Sequence, residues 1–124
     1  MGAKVARTLD EVLQSTSDTL FPGDLGERAV SINSTDCDGD TPLHVLIWRG
    51  DNPGAHLLIE NGADVNAVGD MGETPLHIAL RKDNLPIVRA LVAARARADI
   101  VSEFGVSALQ LAMEKRIDLS GLTQ

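Results

Sequence analysis

A chain of 124 residues is the size of one domain, and with 44% apolar residues but two Phe, one Trp and no Tyr its core must be built from Leu, Ala, Val and Ile. That composition favours closely packed helix pairs over an aromatic-lined cofactor pocket, and a formal charge of -7 argues against nucleic acid, whose phosphates call for clustered Lys and Arg. The single Cys37 excludes an internal disulfide, and no leader or run of roughly 18 apolar residues points to a membrane, so a reduced, soluble, cytoplasmic protein is expected.

At the N-terminus, Val5, Leu9, Val12 and Leu13 have helical spacing, and Phe21-Pro22-Gly23-Asp24 reads as a turn. The segment Glu27-Arg28-Ala29-Val30-Ser31-Ile32-Asn33 aligns with Glu60-Asn61-Gly62-Ala63-Asp64-Val65-Asn66, and Thr8 stands as far before Thr41 as Asn33 stands before Asn66. Residues 3–35 therefore read as a degenerate first copy of a repeated unit.

The next unit, residues 36–68, opens with Thr41-Pro42-Leu43-His44, and the same four residues return as Thr74-Pro75-Leu76-His77 in the unit 69–101. Gly39, Gly72 and Gly105 keep the 33-residue period, as do Pro53 and Pro86, and Ile32-Asn33, Val65-Asn66 and Ala98-Asp99. A fixed period of this length signals a stack of one supersecondary unit, with stability drawn from contacts between neighbours. Thr41 and Thr74 suit a helix N-cap, and Pro42 and Pro75 suit the first helical position, where a missing N–H costs nothing. One turn on, each of His44 and His77 can meet the Thr hydroxyl through one ring nitrogen and a backbone carbonyl through the other. His56, aligned with Arg89, is expected to face outward. Pro53-Gly54 falls at the start of a second helix, Asp51 to Asn61, where glycine lowers propensity by about 1 kcal/mol.

Gly62 can end that helix in the left-handed conformation, but the register places Arg95 there in the following unit, at a cost of about 1 kcal/mol or more. Either that exit is strained or the Ala- and Arg-rich stretch 90–98 carries the helix further. Residues 102–124 replace the motif with Ser107-Ala108-Leu109-Gln110-Leu111-Ala112 and read as a C-terminal capping half-repeat. Gln110 in place of histidine fits an end that must face water.

With these residues the chain resembles the ankyrin repeat family, whose unit is a β-turn followed by two antiparallel helices with a T-P-L-H-x-A core. Asp36-Cys37-Asp38-Gly39-Asp40-Thr41-Pro42-Leu43-His44 is similar to the family's opening turn and first helix. Leu57-Leu58-Ile59-Glu60-Asn61-Gly62-Ala63-Asp64-Val65-Asn66-Ala67 is similar to its second helix and exit. Gly72-Glu73-Thr74-Pro75-Leu76-His77-Ile78-Ala79 and Ile87-Val88-Arg89-Ala90-Leu91-Val92 repeat both. The resemblance implies an all-α solenoid of helix-turn-helix units joined by finger-like β-turns, with no enzymatic activity and no cofactor. It also implies a partner-binding concave face, carried by the turn tips and the late first-helix positions. Matched onto this chain, those positions are Cys37, Asp38, Asp40, Trp48 and Arg49, then Asp70, Met71, Glu73, Arg81 and Lys82, then Glu103, Phe104, Val106, Glu114 and Lys115. Trp48, Met71 and Phe104 are large apolar side chains where the core needs none, as interface anchors are.

Acidic residues gather at the turns as Asp36, Asp38, Asp40, Asp70, Glu73 and Glu103, so a protein with a basic surface is the partner expected, met by a chain that is monomeric when free. Its role would be adaptor or inhibitor, including an immunity protein that blocks a basic toxin. A reading of another class has Asp36, Cys37, Asp38, Asp40 and His44 hold a metal or small ligand. Against calcium, the glycine of Asp36-Cys37-Asp38-Gly39-Asp40 comes too early and Ile47 stands where a loop-closing Glu belongs. No metal ligand set is assigned. Cys37 between two carboxylates is no activated nucleophile, and no serine lies in a nucleophile elbow.

Overall fold

The structure, a computed structural model, describes residues 7–20, 23 and 30–119. Their helices, in chain order, are α1 (Leu9–Gln14), α2 (Ser17–Leu20), α3 (Pro42–Arg49), α4 (Asn52–Glu60), α5 (Pro75–Arg81), α6 (Leu85–Ala93) and α7 (Ala108–Glu114). No strand occurs among the described residues; Val101 and Ser107 form an isolated antiparallel bridge. The readings placed on Val5, on the Phe21-Pro22-Gly23-Asp24 turn and on residues 27–29 fall outside the described residues, apart from Gly23.

One device starts four helices. Thr8, Thr41, Thr74 and Ser107 each sit in extended backbone, accept a hydrogen bond from the N–H three residues on, and donate their own N–H to that residue's side chain. The reciprocating residues are Glu11, His44, His77 and Gln110. Each capping box satisfies two backbone donors that a helix start would otherwise leave bare. The survival of this box at Thr8 is the sign in α1 of the common register. The second helices start differently: the side chains of Asp51 and Asn84 cap α4 and α6, with Pro53 and Pro86 in the first turn.

Helix exits also repeat. Gly50, Asp83 and Arg116, each one period after the last, adopt φ of 75°, 54° and 59° and turn the chain out of α3, α5 and α7. Arg95 has φ 68°, and α6 stops at Ala93, so the chain takes the strained exit and does not extend the helix. Arg95 N–H bonds to Val92 O and Ala96 N–H to Leu91 O, the same pair that Gly62 and Ala63 make with Ile59 and Leu58. These bonds hold an arginine where a side chain is disfavoured.

The stack packs first helices together (α3 on α5, α5 on α7) and second helices together (α4 on α6), with each pair closed by α3 on α4 and α5 on α6. Leu43, Leu46, Leu58, Leu76, Leu80, Ile87 and Leu91 are fully buried in one continuous core. Each contributes roughly 1.5–3 kcal/mol of transfer free energy. Polar ladders run along the stack beside it. Asn66 Oδ1 accepts from Arg97 N–H at 2.7 Å, as Asn33 Oδ1 does from Asp64 N–H at 3.4 Å, and the Asn52 and Asn84 amides bond each other reciprocally.

The two ends differ. The N-terminal unit is strapped on by Arg7, whose guanidinium bonds both oxygens of Asp51, and by Arg49, which reaches Ser15 O and Thr19 Oγ1. At the other end Gln110 behaves as a capping residue, but Leu109 and Met113 are 47% and 67% exposed.

Candidate partner-binding face

The turns between units form fingers. In each, the N–H and C=O of residues four apart close the base: Asp36 N–H to Asp40 O, Gly69 N–H to Glu73 O and Ser102 N–H to Val106 O. Neighbouring fingers are joined by Asp70 N–H to Asp40 Oδ1 at 2.9 Å and by Glu103 N–H to Met71 O at 2.9 Å. Contact is so close that a methyl group on Gly39 would lie 2.8 Å from Val68 O, and one on Gly72 2.9 Å from Glu103 N. On Gly105, in the last finger, it would meet nothing within 4 Å. The histidines tie fingers to helices: His44 Nε2 lies 3.1 Å from Glu73 O and His77 Nε2 3.0 Å from Val106 O.

This scaffold separates the sequence-derived candidates into two groups. Asp40, Glu73 and Arg49 are engaged internally. Asp40 holds the next finger, and Glu73 is buried with its carboxylate 2.6 Å from Arg81 Nε. Arg49 turns toward the N-terminal unit. Asp38, Trp48, Asp70, Met71, Lys82, Glu103 and Phe104 are exposed. Cys37 is an exposed free thiol.

Two of the second group, Trp48 and Phe104, are joined into a strip through Lys82 and Arg81. Lys82 Nζ sits 4.8 Å from the centroid of the Trp48 ring, and Arg81, its chain neighbour, places its guanidinium carbon 5.6 Å from that of Phe104. The end of α5 therefore bridges Trp48 on α3 to Phe104 on the following finger. Trp48 remains 48% and Phe104 60% exposed, so neither ring is spent filling a gap. Cation–ring contacts at exposed sites are worth about 0.5–1 kcal/mol, enough to orient the rings and leave their other surface open.

Beside this strip the fingers are anionic. Asp70 above all, then partial desolvation, then Asp36 and Asp40, push the Asp38 carboxyl above its usual range. Two of these four carboxylates have internal work: Asp36 Oδ1 accepts from the Asp38 and Asp40 N–H groups, and Asp40 from Asp70 N–H. What remains is repulsion between Asp38 and Asp70 across adjacent fingertips, which a cation would relieve. Among the described residues no three His, Cys, Asp or Glu side chains converge as metal ligands, and His44 has both ring nitrogens bonded within the protein. The metal reading of Asp36, Cys37, Asp38, Asp40 and His44 has no such site to rest on.

His56 is half-buried on α4, not outward-facing as its alignment with Arg89 suggested. α4 has α6 packed beside it, and α6 has no such successor among the described residues.

The ankyrin repeat family model, spanning three copies, matches residues 49–119, more than half of the chain. The chain belongs to the ankyrin repeat family, whose repeats are generally protein–protein interaction modules and typically non-enzymatic. None of the curated proteins compared with the chain matches it. No helix among the described residues is long and apolar enough to cross a membrane.

Proposed function

We propose that the finger side of this solenoid binds a protein partner with a basic surface, as an adaptor or as an inhibitor that covers the partner's working face. The observation that carries this reading is the strip from Trp48 through Lys82 and Arg81 to Phe104, lying beside the Asp38–Asp70 carboxylates. Partly exposed aromatics next to charge supply the apolar anchor and polar rim that protein interfaces use. A cationic partner gains steering from the carboxylates and relieves the repulsion that raises the Asp38 pKa.

Affinity capture from the source cell, followed by calorimetry with the recovered partner, tests it. Trp48→Ala and Phe104→Ala each weaken binding about tenfold or more. Unchanged affinity in both variants sinks the proposed face.

A further inference from the structure

Glu73 is buried, and its Oε2 accepts from Arg81 Nε–H at 2.6 Å. A carboxylate taken out of water is costly unless paired in this way. The neighbouring units show that the stack does not need the pair. One period earlier the two positions hold Asp40 and Trp48, and one period later Val106 and Glu114. Asp40 bonds the Asp70 N–H instead, and Trp48 meets Lys82. Helices α3 and α7 nevertheless keep the capping box and the left-handed exit of α5.

The effect of the pair falls on Arg81. Glu73 holds Nε, and the guanidinium carbon lies 5.6 Å from the centroid of the Phe104 ring, so the group is restrained from two directions. Its side chain is still 37% exposed, and Nη1 and Nη2 have no hydrogen-bond partner among the described residues. The five donors of a guanidinium less the one spent on Glu73 leave four in a planar fork. A partner that covers the strip must satisfy them or leave them buried and bare. A carboxylate suits them best, because it takes two parallel N–H bonds from the fork, whereas Lys and Arg side chains offer no acceptor at all.

We propose that Arg81 is the specificity-determining residue of the finger-side face, and that the partner, basic where it meets Asp38 and Asp70, carries one Asp or Glu side chain set against the Arg81 fork. Glu73 is its positioning residue. This inference rests on the finger-side reading above and names the point at which that basic partner is acidic. A partner cationic throughout would bury the fork against like charge, so Arg81 selects among proteins that the fingertip carboxylates attract equally.

The test uses the full chain as bait and a display library of one small helical scaffold with randomised surface positions. Scaffolds that bind the parent chain but not Trp48→Ala are kept, which confines them to this face. The expected result is an Asp or Glu in these binders whose replacement by the matching amide weakens binding about tenfold or more. The same replacement should have no effect on binding to the double variant Glu73→Gln with Arg81→Gln, which removes the fork and its buried counter-charge together. Arg81→Lys keeps a cation beside Glu73 without the fork and should weaken the binders nearly as much as the double variant does. Because it leaves no carboxylate unpaired, Arg81→Lys also serves where the double variant folds poorly, and melting temperatures of both control for folding. Trp48-dependent binders indifferent to the amide replacement, or as tight on Arg81→Lys as on the parent, would overturn this inference and leave the finger-side face standing. Recovery of no Trp48-dependent binder would overturn both.

Discussion

His44 Nε2 points at the carbonyl oxygen of Glu73, in the next finger, while its Nδ1 faces the Thr41 N–H at 3.1 Å. The Thr41 N–H can only donate, so Nδ1 carries the lone pair and Nε2 the proton given to Glu73. One imidazole thereby closes a helix cap and fastens one repeat to the next. His77 does the same between Thr74 and Val106. His44→Ala and His77→Ala each remove the side chain that satisfies two buried backbone groups and should lower stability by about 1–3 kcal/mol. His56→Ala, on a half-buried position, should cost markedly less. Urea denaturation of the three variants checks this, and equal losses at all three positions would contradict the assigned roles.

The same tautomer sets a pH dependence. Burial holds the His44 pKa below the ordinary histidine value, outweighing the Glu73 carbonyl and the Asp40 charge, which favour the cation. The unfolded chain therefore takes up this proton more readily than the native one. The His44 contribution is complete above the unfolded value near 6.5 and is lost as pH falls from there through the folded pKa. Physically, a proton on Nδ1 would face the Thr41 N–H donor. Stability measured between about pH 7.5 and 5 should fall toward acid, and His44→Gln, which cannot titrate, should show a shallower slope. An unchanged slope would remove His44 from the account.

Backbone strain offers a test with the opposite sign. Arg95 occupies a left-handed conformation that glycine adopts freely, and Gly62 holds the matching place one unit earlier. Arg95→Gly relieves about 1–2 kcal/mol of strain against about 0.5–1 kcal/mol of added unfolded-state entropy, so a gain of roughly 0.5–1 kcal/mol is expected. Gly72→Ala and Gly105→Ala form a matched pair: both have positive φ, but only at Gly72 does the added methyl press on the next finger, at Glu103 N. Thermal denaturation should show Gly72→Ala as the more damaging; equal losses would mean that the fingers can part at little cost.

The period was legible because each unit solves the same local problem, and capping, proline placement and apolar spacing are encoded within a few residues. The strained exits at Asp83 and Arg116 lie on the repeat ruler from Gly50, as Arg95 lies on that from Gly62. The fate of individual polar side chains was not legible. Arg49, Asp40 and Glu73 occupy positions that vary freely in such repeats, yet Arg49 finds Ser15 and Asp40 finds the N–H of Asp70, each about one unit away in sequence. Those pairings depend on how units stack. The exposure of Leu109 is not legible either: it stands on the repeat ruler with the buried Leu43 and Leu76, yet it is 47% exposed.

The N-terminal unit should separate from the rest before the core melts. Among the described residues its main helix contacts with the stack are α1 on α4 and α2 on α3, reinforced by Arg7 with Asp51 and by Arg49 with Ser15 and Thr19. Arg7 pulls the Asp51 carboxyl below the usual range through a two-pronged bond. Arg7 is exposed and Asp51 half-buried, so screening limits the pair to about 0.5–1 kcal/mol, less at high salt. Asp51 also caps α4 through the Gly54 N–H, and that bond survives when Arg7 is removed. Arg7→Ala should therefore accelerate amide exchange in α1 severalfold and leave α5 and α6 unchanged, whereas raising salt in the parent protein should reproduce much of the effect in α1. Equal acceleration in α1 and α5 would mean that the unit is part of one cooperative core and that the ionic strap does not govern its release.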